Sequence, residues 1–536
     1  MNTANWLLVA IIVYSLILLY LGRYAYLKEK AAAAEDYFHA GRRGSILNVI
    51  VYSASQSGAI TLVSELESSV LHGISVIWYG IGVLCMTLLI AGWVITPLRK
   101  KQVITISGYL GDHFGEPVRA VSGAVIGLFM PLFSLATVVA TAQILRVLYA
   151  VPAWETVALC SLVLLAYVLF GGMLSISLTG IVNTFTMYLG LAIMAGAAFY
   201  FNGFHKLFTA LPASYYNPLG VGVPLILVWL GTWVVNALLA QTQLQMLLTS
   251  KDERVGRRGV YLSLIPLGFV TIMAPLAGLG LRLLFPHESD GFVATALLIK
   301  DRLPLWASIV VVLGIWCTSL IWAGSNQFSG AVSLGRDLGK AIGLSLNHGQ
   351  EKLYTQISLF VVTFILIILG TLRPSDSAWW SVFGFAVRNA ALVSLPLAAL
   401  VWMAMSARAG YCSMIMGGVS AFVWYALNSF STTRFYLGIH PMWIGLSLAL
   451  VAPVLWMTME SLLGKQVSLV WNKRPPYQYI ISGTLLLLGG YIIGELRWLL
   501  VQGIIGALAF VWSVLFFFLG TLTVVKAEPS TAEARP

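Results

Sequence analysis

Long apolar runs separated by short polar interruptions dominate the chain. Each run holds about 20 residues, which is enough for an α-helix to cross the hydrocarbon core of a bilayer. The pattern predicts an all-α polytopic membrane protein with about 14 to 15 transmembrane helices. The predicted spans are 4–26, 45–69, 73–97, 118–148, 154–173, 177–202, 222–247, 258–285, 304–335, 352–372, 377–405, 410–430, 441–463, 478–496 and 503–525.

The placement of polar positions divides the chain into four parts. Residues 1–44 supply an extra N-terminal helix and a basic loop, and residues 45–405 form a core of ten spans with polar interruptions. Residues 406–526 contain plainer additional helices, and residues 527–536 are a short polar tail. Basic residues follow the first apolar run instead of preceding it, which indicates a retained helix and not a cleaved signal peptide.

The composition agrees with a membrane protein. Of the 536 residues, 59% are hydrophobic and 10% are charged. The mean hydropathy of +0.88 lies far outside the range of soluble globular proteins. The lipid bilayer is therefore the expected surroundings of nearly the whole chain.

The net charge of +11 is explained by its distribution. Most lysines and arginines fall in alternate loops, as the positive-inside rule describes for cytoplasmic loops of membrane proteins. This pattern predicts an external N-terminus and gives no indication of nucleic-acid binding. With short loops and a short polar tail, the chain is expected in a bacterial inner membrane as a multi-pass protein. The basic loops include 28–43, 99–101, 251–258, 336–340 and 465–474.

The sequence carries no signature of an enzyme or of ATP-driven transport. It has no Walker-type phosphate loop, no Rossmann glycine fingerprint and no His-Glu zinc motif. The four cysteines all fall within predicted spans and show no paired spacing, so we expect neither disulfides nor a zinc site. They are Cys85, Cys160, Cys317 and Cys412.

The ten core spans divide into two halves of five helices. The first half starts near Ser53 and the second near Asn236. Because each half has an odd number of spans, the two halves have opposite topology. Inverted repeats of this kind place substrate and ion sites near the middle of the bilayer, at the interrupted first helix of each half.

The stretch Ser53–Gly58 places hydroxyls, a glutamine and a glycine inside the first helix of the core. An unwound segment is tolerated in a membrane only where it is buried in protein or lines a polar cavity. Small residues also let two membrane helices pack closely. The stretch by itself therefore fits either an unwound segment or a packing face.

A second polar interruption favours the unwound segment. Thr318 and Ser319 lie side by side in the middle of a long span without nearby charge. Carbonyls from an unwound helix and two hydroxyls from a facing helix would form a five-oxygen site for a hard monovalent cation such as sodium. The competing interpretation is that both hydroxyls bond to their own helix backbone.

Six short motifs, in chain order, resemble those of sodium:solute symporters, the family that includes bacterial proline, galactose and sialic acid symporters. The resemblance implies a LeuT-type five-plus-five inverted repeat and alternating access driven by a sodium gradient. The motifs are DYFHAGRRGS, GISVIWYGIG, ITISGYLGDHFGEPVRAVSG, AYVLFGGMLSISLTGIVNTFTMYLG, LLTSKDERVGRRG and SLGRDLGKA.

The resemblance also implies site residues. Gln56 falls where relatives have a polar residue beside the substrate, and Thr61 faces the same cavity. The main sodium site of the family corresponds to the backbone oxygens of Ala54 and Ser57, a carbonyl near Ile315, and the hydroxyls of Thr318 and Ser319.

Three departures from the family pattern qualify this expectation. Gly108 replaces the usual glutamate of the third motif. Gly180 stands where many members have an aspartate that assists a second sodium, so we expect one sodium per substrate. Met246 replaces an arginine of the inner gate.

Other polar residues of the core are candidates for the substrate site. Asn236 and Gln241 begin the second half, where buried amides need partners. Arg388 lies inside a span, and its charge could hold a substrate carboxylate or neutralise Glu65 or Glu67. The expected ligand is a small organic solute, with sugar, amino acid, carboxylate, vitamin and osmolyte all left open, and the oligomeric state is left open too.

Two other functions remain open at this stage. A membrane sensor of the same fold would bind a solute without tightly coupled transport. A proton-coupled or uncoupled carrier would depend on Glu65 and Glu67 more than on Thr318 and Ser319.

Overall fold

The computed structural model describes residues 3–29, 45–96, 105–344, 346–374, 376–402, 405–431, 434–463, 467–469 and 503–526. The predicted span 478–496, the first motif apart from Ser45, and the tail 527–536 lie outside these residues. So do residues 97–104 and 470–502, which contain several of the basic positions.

The chain divides into two compact units. The first contains residues Met1–Tyr109 and Gly123–Gly384, and the second contains Leu110–Ser122 and Phe385–Pro536. All of the polar interruptions described above except Arg388 belong to the first unit.

The first unit is helical throughout its described part. Helices α4, α5 and α16 each begin or end in the second unit. The helices are α1 (Thr3–Glu29), α2 (Ile46–His72), α3 (Ile77–Leu89), α4 (Ile106–Phe114), α5 (Glu116–Tyr149), α6 (Ala153–Asn202), α7 (Phe204–Thr209), α8 (Val223–Asn236), α9 (Gln241–Thr249), α10 (Glu253–Leu284), α11 (Gly291–Asp301), α12 (Leu305–Thr318), α13 (Gly324–Val332), α14 (Gly339–Ala341), α15 (His348–Leu372) and α16 (Ser377–Leu392).

Five short helical segments of other types connect or extend these helices in the first unit. Segments of 3-10 helix cover Gly73–Val76 and Ala213–Tyr216, and π-helical segments cover Ile90–Val94, Ser319–Ala323 and Ser333–Leu338. The last two continue α12 and α13, so that one long bent helix runs from Leu305 to Ala341.

The second unit contains further helices and a small sheet. Two three-residue strands pair antiparallel, with Ser468 opposite Val525. Its elements are α17 (Ser394–Val401), α18 (Ala407–Ala426), a 3-10 segment (Tyr436–Gly438), α19 (Pro441–Leu462), β1 (Val467–Leu469), α20 (Ile505–Thr523) and β2 (Val524–Lys526).

Local signals in the sequence account for several helix ends. Asp252 precedes α10 and accepts a hydrogen bond from the Val255 amide at 2.7 Å. Asn347 and Gln350 form a reciprocal capping box at the start of α15. Gly172 takes a left-handed backbone conformation (φ 50°, ψ −141°) and bends α6 in two, at the boundary predicted between two spans.

Helices α2 and α10 pack closely in the first unit. A Cβ atom added to Gly278 of α10 would lie 1.6 Å from the Ser69 hydroxyl of α2. A Cβ added to Gly259 would lie 2.6 Å from the Val49 side chain. Small residues at these positions let the two helices approach each other, as in other membrane helix pairs.

In the described residues, nine helical stretches are long and apolar enough to cross a membrane, or ten if the bent pair α16–α17 is one span. This number is smaller than the 14 to 15 predicted spans partly because Ile46–Val94 is one stretch by this criterion. The prediction has two spans there, and Gly73 separates α2 from α3. Two apolar helices, Ala153–Leu169 and Ile505–Thr521, fall short of the length criterion.

Candidate functional site

The polar stretch Ser53–Gly58 lies buried inside α2, which is a continuous helix. The Ser55 hydroxyl donates to the Tyr52 carbonyl at 2.9 Å, and the Thr61 hydroxyl donates to the Ser57 carbonyl at 2.8 Å. A hydroxyl that donates to a carbonyl of its own helix has a hydrogen-bond partner without any unwinding of that helix. The predicted unwinding of this stretch is therefore wrong for this conformation.

Gln56 connects α2 to the π-helical segment that follows α12. Its amide nitrogen donates to the Ile321 carbonyl at 2.8 Å, and its amide oxygen accepts from the Ser325 hydroxyl at 2.8 Å. All three residues are buried. A π-helical turn shifts backbone carbonyls out of the regular α-helical pattern and occurs frequently at functional sites.

The interruption expected in the first helix of each half is present in the second half. Helix α8 ends at Asn236 and α9 begins at Gln241, with a non-helical connection between them. The Asn236 amide donates to the Met86 sulfur at 3.2 Å. The chain turns here with its backbone amides still bonded locally, from Leu238 to the Val235 carbonyl at 3.2 Å and from Leu239 to the Asn236 carbonyl at 2.9 Å.

Gln241 connects three elements of the first unit. Its amide oxygen accepts from the Ile106 amide at 2.9 Å. Its amide nitrogen donates to the Ser329 hydroxyl at 2.9 Å and to the Ser333 hydroxyl at 3.1 Å. In this conformation Gln241 holds α4 and α9 against α13.

Asp337 extends the same polar cluster and was not singled out by sequence reasoning. Its carboxylate accepts hydrogen bonds from Thr105 at 2.5 Å and from Ser107 at 2.6 Å. The Ser107 and Ser333 hydroxyls are 3.1 Å apart. We call the contacts among Thr105, Ser107, Gln241, Ser333 and Asp337 the inner closure, because the positive-inside rule predicts this end on the cytoplasmic side.

A signal for the inner closure was present in the sequence. Thr105 and Ser107 lie in the third family motif and Asp337 in the sixth. Polar side chains in two motifs at the same predicted membrane face could have suggested that they meet.

A second polar contact joins the C-terminal part of α2 to the N-terminus of α16. The Glu67 carboxylate accepts hydrogen bonds from the Ser377 amide at 3.2 Å, the Ser377 hydroxyl at 2.5 Å and the Ala378 amide at 2.9 Å. Unpaired amides and the helix dipole make a helix N-terminus a favourable place for a carboxylate. We call this contact the outer closure.

The predicted sodium ligands form two groups. The Ala54 carbonyl of α2 accepts from the Tyr188 hydroxyl at 3.3 Å, and the Ser57 carbonyl accepts from the Thr61 hydroxyl at 2.8 Å. The Thr318 and Ser319 hydroxyls lie in a separate set of contacts, described next. This arrangement does not bring the two groups into one hydrogen-bonded cluster.

The hydroxyl pair contacts its own helix and α5. The Thr318 hydroxyl donates to the Ile315 carbonyl at 2.6 Å. The Ser319 hydroxyl donates to the Thr137 carbonyl at 2.7 Å and lies 2.8 Å from the Thr141 hydroxyl. These buried oxygens are uncharged and are of the type that a hard cation prefers.

Arg388 belongs to the second unit and is 1% exposed. Its guanidinium donates to the Asn389 side chain at 2.7 Å and lies 5.4 Å from the centre of the Phe385 ring. The amide and the ring face both favour the cation.

The helical architecture is that of a polytopic membrane transporter with a LeuT-type inverted repeat. The model of the sodium:solute symporter family matches residues 37–417. The chain belongs to this family and is a multi-pass protein of the cell membrane.

Individual relatives are distant in sequence. The chain is 21% identical over 457 residues to the uncharacterized symporter YwcA of Bacillus subtilis, which covers 80% of this chain and 86% of that protein. It is 22% identical over 283 residues to the human sodium-coupled monocarboxylate transporter 2, which covers 50% of this chain and 45% of that protein.

Two solved structures share the fold. A Na+-coupled sialic acid symporter, in a substrate-bound outward-open state, superposes with a TM-score of 0.70 at 16% identity, over 85% of this chain and 97% of that one. The nucleobase-cation-symport-1 transporter Mhp1, in a closed conformation, superposes with a TM-score of 0.52 at 9% identity, over 79% of this chain and 94% of that one.

Proposed function

We propose that this protein is a sodium-coupled symporter that imports a small organic solute by alternating access. The observation that carries the proposal is the polar connection from Gln56 to the π-helical segment at Ile321, buried between the inner closure and the outer closure. A carrier needs a polar site inside the bilayer and a contact on each side that can open in turn.

The solute site of the proposal includes Gln56, Thr61, Asn236 and Gln241. The amides of Gln56 and Gln241 bind protein oxygens in this conformation. They become available to a solute when α2 and α9 separate from the bent helix. Arg388 belongs to the second unit, and its role as a binder of a solute carboxylate is a separate proposal.

The sodium site of the proposal uses Ala54, Ser57, Ile315, Thr318 and Ser319. In this conformation the Ser319 hydroxyl is occupied by Thr137. Sodium binding would need this hydroxyl to turn from α5 toward α2 and a carbonyl of α2 to leave its helical bond. Sodium would then bind the rearranged state of α2 more tightly than the helical state, and this difference in affinity would couple sodium binding to the conformation of α2.

The test is uptake by proteoliposomes. Vesicles with purified protein receive a pool of labelled metabolites with an inward sodium gradient, an inward proton gradient or neither. We expect accumulation of one solute with sodium only, and its loss in the Thr318→Ala/Ser319→Ala variant. Specific solute binding without accumulation, or uptake driven by protons and indifferent to sodium, would contradict the proposal.

A matched variant controls for the loss of buried hydroxyls. Thr363 of α15 is buried and bonds to its own helix, at the Leu359 carbonyl, as Thr318 bonds to Ile315. Thr363→Ala is expected to keep sodium-driven uptake. Equal loss in both variants would indicate damage to the fold instead of to the ion site.

A further inference from the structure

Glu65 is a carboxyl group buried in the first unit, at 0% exposure. One oxygen accepts from the Gly80 amide of α3 at 3.0 Å. Among the described residues, the other oxygen has no hydrogen-bond partner. A buried carboxyl with one orphaned oxygen is costly, so the structure needs a reason to keep it.

The described ion pairs do not include Glu65. They join arginines or lysines to other carboxylates, at Arg119, Arg257, Arg336, Lys340 and Arg373. A carboxyl group in a dry interior stays ionised only beside a compensating positive charge and is otherwise protonated. A small cation from solution would supply one in this part of the protein.

The Thr271 hydroxyl lies close to the carboxyl group. A Cβ added to Gly80 would lie 2.5 Å from the bonded Glu65 oxygen and 2.4 Å from the Thr271 hydroxyl of α10. Because Gly80 has no side chain, these two oxygens can both pack closely against its backbone. Ser64 precedes Glu65 in α2. Its buried hydroxyl has no hydrogen-bond partner among the described residues.

The chemistry of this oxygen set selects a hard cation. The Thr271 hydroxyl donates to the Leu267 carbonyl at 2.9 Å, so its lone pairs remain free for a ligand. One carboxylate and neutral hydroxyls are ligands that hard cations prefer over softer metals. A single carboxylate balances a monovalent ion and leaves a divalent ion with excess charge.

The position of the cluster connects the two halves of the core. Glu65 and Gly80 come from the first two helices of the first half, and Thr271 comes from α10 of the second half. Tyr79, next to Gly80, makes edge contacts with Trp229 and Trp233 of α8, at ring distances of 5.8 and 5.4 Å. An ion here would contact helices from both halves, beside the helix that ends at Asn236.

We propose that Glu65, Thr271 and Ser64 form a second sodium site of this carrier, separate from the predicted set around Ser57 and Thr318. The site rests on the proposed function because it assigns a second coupling ion to the same transport cycle. It revises the expectation of one sodium per solute that Gly180 suggested.

The test measures sodium binding directly, apart from transport. Calorimetric titration of the purified protein with sodium chloride, against choline chloride, gives the number of bound ions and their affinities. We expect two sodium ions for the natural protein and one for Glu65→Gln, which keeps an oxygen for Gly80. Glu460→Gln is the control, since Glu460 is a buried glutamate of the second unit with partners Ser406 and Trp456.

Two more variants keep the test decisive if Glu65→Gln folds poorly. Thr271→Val removes one hydroxyl, and Gly80→Ala places a methyl group where it displaces the Glu65 and Thr271 oxygens. Each is expected to weaken the second sodium at least tenfold while the first is unchanged. Two unaltered sodium ions in a folded variant of Glu65 would overturn the site, as would proton binding at Glu65 that replaces sodium binding.

Transport measurements separate this inference from the proposed function. If the natural protein accumulates solute with sodium and Glu65→Gln keeps the same sodium stoichiometry, only the second site fails. If the natural protein shows no sodium-driven accumulation, the proposed function fails, and the titration still decides whether Glu65 binds sodium.

Discussion

At the scale of single residues, the polar side chains of α2 divide into two kinds. Hydroxyls such as those of Ser55 and Thr61 bond to their own helix. Gln56 reaches a residue 265 positions away in the chain. The hydroxyls therefore adapt to the helix, whereas the amide of Gln56 determines which helix α2 contacts.

Replacing Gln56 tests its role in solute binding. Gln56→Ala removes an amide that the proposal assigns to the solute. Because a hydrogen bond of this kind contributes about 1 to 3 kcal/mol, the half-saturating solute concentration should rise about tenfold or more. The measurement is the concentration dependence of uptake in proteoliposomes.

The control is Gln356→Ala. Gln356 also donates from its amide to a backbone carbonyl, that of Leu169, at 3.1 Å. It lies on α15, outside the proposed solute site. Equal shifts for the two variants would contradict a specific role for Gln56.

His440 makes the second unit sensitive to acid. It precedes α19, is 6% exposed, and accepts a hydrogen bond from the Met442 amide at 3.2 Å. Burial lowers the pKa of His440 to about 3. Since the unfolded chain binds the proton first, stability falls as the pH decreases from about 6.5 toward 3.

Between pH 7 and pH 5, the free energy of unfolding is expected to decrease by about 2 kcal/mol because of His440. His440→Asn keeps a side-chain oxygen for the Met442 amide and removes the titrating group. The melting temperature in detergent should fall less between these pH values for the variant than for the natural protein. The same decrease in both proteins would show that His440 does not titrate in this range.

At the scale of elements, close helix packing and polar closures position the core. Helix α2 meets α10 through glycines, and the outer closure holds its far end against α16. The bent helix from Leu305 to Ala341 contains two π-helical segments, one beside Gln56 and one in the inner closure. Irregular backbone therefore occurs where the proposed pathway runs.

Replacing either of two glycines of α10 by alanine is expected to change the stability of the protein in opposite directions. At Gly278 a Cβ would collide with Ser69, and overpacking of this kind costs about 1 to 3 kcal/mol. At Gly268 no atom lies within 4 Å of an added Cβ, and alanine favours a helix by about 1 kcal/mol.

Thermal melting in detergent compares the two variants. Gly278→Ala should melt at a lower temperature than the natural protein, and Gly268→Ala at the same or a higher temperature. A Gly278→Ala protein as stable as Gly268→Ala would contradict the close contact between α2 and α10.

The sequence predicted most helices well and the state of α2 poorly. Apolar periodicity is local, so spans such as 352–372 coincide with a helix, here His348–Leu372. Whether Ser53–Gly58 unwinds depends on hydrogen bonds that its side chains find in the folded protein. The break between Asn236 and Gln241 was expected from the inverted repeat and not from local composition.

At the scale of the whole molecule, the first unit has polar contacts at both ends of the proposed pathway. The inner closure joins α4, α9 and the bent helix, and the outer closure joins α2 and α16. The bonded residues of the outer closure are as far as 311 positions apart in the chain. Sequence reasoning found Gln241 but not Asp337, because neither the third nor the sixth family motif alone shows that their side chains meet.

Alternating access predicts that locking the inner closure stops transport. In a protein with the four natural cysteines replaced, Ser107→Cys and Ser333→Cys place two thiols where hydroxyls are 3.1 Å apart. Oxidation should abolish uptake, and reduction should restore it. Ser107→Cys alone should not respond to oxidation. Uptake that continues with the disulfide formed would show that this contact does not open during transport.

The most direct test of sodium coupling runs the cycle in reverse. Vesicles containing the protein are loaded with the identified solute and placed in solute-free buffer, with labelled sodium at equal concentration on both sides. Because coupling is reciprocal, outward solute flow should carry sodium out against its own developing gradient, and Thr318→Ala/Ser319→Ala should abolish this flux. Solute efflux that leaves sodium evenly distributed would contradict the account.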